Sequence, residues 1–127
     1  MKPLDLLGVF VGAGLGGVAR YGLSLWMLEQ GRSSSLALVV INVAGSLLFG
    51  FLYGLWADRH PGPLAFLGAG VLGGFTTFSA FSVEALLLLR KGDTVGAAVF
   101  VGVSVVASLL GAAAGLALGY RLRPSAV

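Results

Sequence analysis

Glycine, threonine, serine and phenylalanine crowd into one short stretch, Gly70–Ser82, which reads GVLGGFTTFSAFS. Gly73 and Gly74 followed by Thr76, Thr77 and Ser79 make poor helix. A chain that leaves the helix there exposes carbonyl and amide groups. Carbonyl oxygens gathered in this way replace the hydration shell of a cation with no acidic side chain involved. Phe75, Phe78 and Phe81 recur every three residues, so Phe78 and Phe81 share a face of a helix restarting near Thr77. Aromatic ring edges carry partial positive charge. Beside the hydroxyls of Thr77 and Ser79, such edges suit a small, dehydrated anion. The plainer reading is a continuous helix whose hydroxyls bond back to the preceding turn, with the rings in contact with core or lipid. The density of small and hydroxylated residues after the glycine pair favours the break.

The other polar groups in apolar surroundings are few. Asn42 and Ser46 lie four apart, as do Ser104 and Ser108, and each pair marks one face of its helix. They read equally as interhelical hydrogen bonds or as a ladder of donors along a path for an ion. Arg20 and Glu84 are the charges well inside apolar runs, where an ionisable residue is a functional candidate by default. Both fall toward the same end of their runs, so an ion pair between them is the structural alternative to a positive vestibule at Arg20. His60 precedes Pro61 in a polar turn with no second histidine to join it as a metal ligand, and cysteine is absent.

These residues are carried by a chain of 127 residues, 57% hydrophobic and 10% charged, with a mean hydropathy of +0.99. Soluble domains carry about a quarter charged residues, so that class is excluded. The eight basic residues form no patch longer than Arg90–Lys91, which argues against nucleic acid despite the basic balance. A helix needs about 20 apolar residues to cross a bilayer. Four runs qualify: Leu4–Leu28, Leu36–Ala57, Leu64–Leu89 and Thr94–Gly119. The first continues past Arg20 for a full span, unlike a signal peptide. The connections Glu29–Ser35, Asp58–Pro63 and Arg90–Asp93 are short, so neighbouring spans run antiparallel in one all-α transmembrane domain, 1–127. The third span is centred near Thr76, which puts its polar stretch at the membrane midplane.

Glycines recur every four residues at Gly8, Gly12 and Gly16, at Gly50 and Gly54, and at Gly111, Gly115 and Gly119. Each series opens a groove for another backbone and predicts tight packing, within the bundle and in an oligomer. Basic residues barely favour one side. Lys2, Arg59, Arg121 and Arg123 fall with the termini, and Arg32, Arg90 and Lys91 fall opposite. A balance of four against three does not fix orientation by the positive-inside rule. The plainer reading is a weakly biased protein that inserts one way. The reading favoured here is insertion both ways and an antiparallel homodimer, whose two-fold axis lies in the membrane plane. A mid-span break then meets its mate on that axis, where paired carbonyls would hold an alkali cation.

Three segments, GAGLGGVARY at Gly12–Tyr21, NVAGSLLFG at Asn42–Gly50 and GVLGGFTTFSAF at Gly70–Phe81, carry a resemblance to the Fluc (CrcB-type) fluoride channel family. It covers essentially the whole chain. The resemblance implies a dual-topology antiparallel homodimer in the cell inner membrane, with two fluoride pores and a central structural sodium ion. It implies that the backbone carbonyls of Gly73 and Thr76 hold the sodium and that Phe78, Phe81 and Asn42 line the pores. Ser104 and Ser108 fall on the family's polar track, and Arg20 and Glu84 match charged positions typical of it. Two residues depart from the pattern. Ala80 stands where threonine is usual, and Phe100 stands where a tyrosine can extend the track.

The main rival is a small proton-coupled exporter of the multidrug type. It needs a titratable carboxylate deep in a substrate chamber, whereas Glu84 sits toward the end of a span. A purely structural subunit leaves the mid-span polar stretch without purpose. An enzyme is not expected, since no Ser/His, paired Asp or metal cluster is present.

Overall fold

A computed structural model describes residues 3–57 and 60–123. Lys2 and Arg59, two of the basic residues counted in the charge balance, lie outside them. The described chain is all helical. It comprises α1 (Pro3–Glu29), α2 (Ser34–Trp56), α3 (Pro61–Leu64), a π-helical segment (Ala65–Leu72), α4 (Gly73–Phe75), α5 (Phe78–Arg90) and α6 (Thr94–Leu122). Four helical stretches, 3–29, 34–56, 61–90 and 94–122, are long and apolar enough to cross a membrane.

The ends follow local chemistry. Gly31 and Gly92 take left-handed backbone angles, φ 73° and 81°, which glycine adopts without a Cβ penalty. Arg32 N then reaches Met27 O at 3.0 Å, and Asp93 N reaches Leu88 O at 3.0 Å, closing α1 and α5. The next helices start at once. Ser33 Oγ accepts from Leu36 N at 3.2 Å and Asp93 Oδ1 from Gly96 N at 2.8 Å, satisfying amides that have no intrahelical partner. The Ser33 cap starts α2 two residues before the expected Leu36.

The glycine series decide which spans embrace. The most extensive pairing is α2 with α6, and α1 packs chiefly on the first half of the third span. A Cβ at Gly12 would stand 2.6 Å from Phe66 O, and one at Gly16 would stand 2.8 Å from Phe75 N and overlap Val71 O. Gly115 and Gly119 meet the backbones of Phe51 and Leu55 in the same way, at 2.9 Å from each nitrogen. These stripes are therefore used inside the chain. Overpacking costs about 1–3 kcal/mol, against a helix-propensity gain of up to about 1 kcal/mol for glycine to alanine. Gly16→Ala should accordingly lower the melting temperature in detergent. Gly17→Ala, next to it but with nothing within 4 Å, should leave it unchanged or raise it. Equal responses would refute this account of the packing.

Candidate functional site

The backbone leaves helical angles at two consecutive residues of the third span. Thr76 has φ −79° and ψ 156°, and Thr77 has φ −151° and ψ 122°. Two peptide units are thereby left without intrahelical partners in the middle of an apolar run, where water cannot serve them. Side chains meet the need. Asn42 of α2 uses both ends of its amide on one residue: Thr77 N donates to Oδ1 at 2.9 Å, and Nδ2 donates to Thr77 O at 3.1 Å. The backbone N–H can only donate, so the amide orientation follows from chemistry. Arg20 Nε, from α1, donates to Gly74 O at 3.2 Å. Thr77 Oγ1 accepts from Ala80 N at 3.2 Å and caps α5, while sharing a hydrogen bond of 3.1 Å with the Ser79 hydroxyl. The Thr76 hydroxyl bonds back to Leu72 O at 2.9 Å.

This pattern decides which carbonyls keep their helical donors. In an unbroken helix Gly73 O would accept from Thr77 N and Thr76 O from Ala80 N. Those donors are directed instead to Asn42 and to the Thr77 hydroxyl.

Alongside lies a groove of about 450 Å³. Asn42 and Ser46 from α2, Gly73, Thr76 and Thr77 around the extended residues, Phe78 and Phe81 from α5, and Ser104 and Ser108 from α6 all line it. The Phe78 and Phe81 centroids are 5.3 Å apart, and those of Phe81 and Phe100 are 5.2 Å apart, both tilted. Phe81 is 8% exposed between its two neighbours, whereas Phe78, at the rim, is 77% exposed. Ser104 is 4% exposed, yet among the described residues its hydroxyl has no hydrogen-bond partner. A buried hydroxyl without a partner costs about 1–3 kcal/mol. Ser104 is among the residues that line the groove.

Eight of the expected site residues thus come together: Asn42, Gly73, Thr76, Thr77, Phe78, Phe81, Ser104 and Ser108. Ser79 is exposed, does not line the groove and is turned to Thr77. Arg20 and Glu84 do not line it either, and the ion pair between them is replaced by other partners. Arg20 is held by Gly74, while Glu84 Oε1 accepts from Ser34 and Ser35 at 2.7 and 2.5 Å. The hydroxyls at the start of α2 therefore serve the Glu84 carboxyl oxygen. Phe100 lacks the hydroxyl of a tyrosine and has become the third ring of the aromatic stack. Sequence reasoning missed this stack, because residues 81 and 100 belong to different spans.

A family model described as CrcB-like protein, Camphor Resistance (CrcB), matches residues 7–116. The chain belongs to the CrcB family. Among its relatives is a "Fluoride-specific ion channel FluC" of Methylobacterium nodulans, 48% identical over 91% of this chain and 95% of that protein. One of the same name from Coxiella burnetii is 40% identical over 94% of this chain and all of that protein. Another from Rhizobium meliloti is 43% identical over 89% and 94%. This CrcB chain, with its four apolar spans, is a multi-pass membrane protein rather than an enzyme.

Proposed function

We propose that this CrcB chain is one half of a fluoride channel, which lets cytoplasmic fluoride leave the cell through the plasma membrane down its electrochemical gradient. The single observation that carries the reading is the groove lined by Ser104, whose buried hydroxyl has no hydrogen-bond partner among the described residues, beside the Phe78–Phe81–Phe100 stack. Fluoride is small and strongly hydrated, so a path must replace its water with closely spaced donors. Hydroxyl hydrogens and ring edges do so without fixed positive charge, and an ion is held weakly enough to leave. The names of the relatives agree with this anion.

One copy leaves the groove open at one side, with the Phe78 ring exposed. Polar backbone at membrane depth must be buried in protein or line an aqueous cavity. A second, inverted copy supplies the missing wall, and two-fold symmetry then gives two equivalent paths. In this arrangement the third span works as two half-helices meeting their mates at mid-depth. The carbonyls of Gly73 and Thr76, deprived of their helical donors, fit a sodium ion there; when bound, it would neutralise converging carbonyl dipoles from both copies. The proton-coupled exporter is disfavoured, because the Glu84 carboxylate is tied to Ser34 and Ser35 and does not line the groove.

The test is efflux from liposomes loaded with fluoride and followed by an ion-selective electrode, with chloride as comparison. Rapid electrogenic release of fluoride but not chloride is expected, with no requirement for a proton gradient. Release that stops without such a gradient would return the exporter.

A further inference from the structure

Arg20 is bonded to the backbone at the end of a half-helix, and among the described residues it has no acidic partner. The last four carbonyls of any helix lack intrahelical donors, and here the helix ends within residues 72–75. Leu72 O retains two donors, the amide and the hydroxyl of Thr76, each at 2.9 Å. Gly74 O receives Arg20 Nε across 54 positions of sequence, in a half-buried setting. The same face of α1 holds this end by close backbone contact. A Cβ at Gly74 would stand 2.8 Å from Ala13 Cα, whereas one at Gly73 would meet nothing nearer than 3.7 Å. So α1 grips Gly74 and leaves Gly73 to the groove. A guanidinium at the C-terminal end of a helix also opposes the negative pole of its dipole.

We propose that Arg20 is a positioning residue for the cation site: by hydrogen bonding to Gly74 O it takes that carbonyl out of the available set and fixes the half-helix end so that Gly73 O and Thr76 O remain for the ion. The inference rests on the reading that sodium sits against those two carbonyls. Arg20 itself touches neither sodium nor fluoride in this role.

Glutamine places its Nε2 the same number of bonds from Cα as Arg Nε, so Arg20→Gln keeps the donor and removes the charge. Arg20→Met places a methyl group there. The full-length protein is titrated with sodium chloride against N-methylglucamine chloride, and its melting temperature in detergent is read. The wild type is expected to gain stability with sodium, and Arg20→Gln to keep the half-saturating concentration within about threefold. Arg20→Met should raise it by about tenfold, the loss of roughly one hydrogen bond, and liposome fluoride efflux should follow the same shifted curve. A wild type indifferent to sodium sinks the sodium reading and this inference with it. A sodium-responsive wild type matched by Arg20→Met sinks the inference alone. If Arg20→Met is not recovered folded, Arg20→Gln decides: a wild-type titration supports the hydrogen bond, and a weakened one assigns the effect to charge and overturns it.

Discussion

Replacing Phe81 with isoleucine should slow fluoride efflux from liposomes by about 100-fold or more, while the protein still assembles as it does in the wild type. The ring is buried between Phe78 and Phe100, with centroid separations of 5.3 and 5.2 Å, and it lines the groove beside Ser104. Isoleucine keeps an apolar side chain in that space but has no quadrupole, so no positive edge meets an anion stripped of water. A hydrogen bond to a charged group is worth about 1.5–3 kcal/mol, and a ring-edge contact to a dehydrated anion is set on that scale. At 1.36 kcal/mol per factor of ten, its loss slows passage by roughly 10- to 150-fold. The upper end applies here, because Phe81 also holds its two neighbouring rings and all three edges move when it goes. Size-exclusion chromatography separates this outcome from simple misfolding. An unchanged rate with an unchanged elution volume would remove the aromatic stack from the path.

The broad architecture was legible because it follows from length and polarity. Four apolar runs separated by short polar turns leave no other element to build, whereas the caps Ser33 and Asp93 emerged only with the structure. The glycine stripes announced close backbones but not their partners. Only folding reveals that Gly12 and Gly16 receive residues 66–75, while Gly115 and Gly119 receive residues 47–55. The π-helical stretch Ala65–Leu72 had no local signal, since π turns arise from packing and not from propensity. The site divided along the same line. Residues of one span that share a face, such as Ser104 with Ser108, could be grouped by spacing. What Asn42, Arg20 and Glu84 bind could not, because each partner lies 35 to 54 positions away and is fixed by how the spans pair. For Arg20 and Asn42, moreover, the partner is backbone, and no pattern of side chains in the sequence advertises a carbonyl.

Asn42 separates a residue that lines a path from one that builds it. Asn42→Leu keeps the number and branching of side-chain heavy atoms and removes both bonds to Thr77, at 2.9 and 3.1 Å. The N–H and C=O of Thr77 are then unserved at mid-membrane, and each buried backbone group so abandoned costs about 1–3 kcal/mol. Among the described residues the extended pair has no comparable second anchor on α2. Melting temperature should therefore fall by roughly 10 °C or more, and fluoride efflux should fall by at least about 100-fold, because the start of α5 sets where Phe78 and Phe81 stand. Asn42→Asp provides the intermediate case. Its carboxylate still accepts from Thr77 N but cannot donate to Thr77 O, so stability should lie between the wild type and Asn42→Leu. Were Asn42 only a donor to the passing ion, Asn42→Leu would lose flux at the wild-type melting temperature, and the two quantities would part. Their joint fall is what a residue holding the third span open must produce.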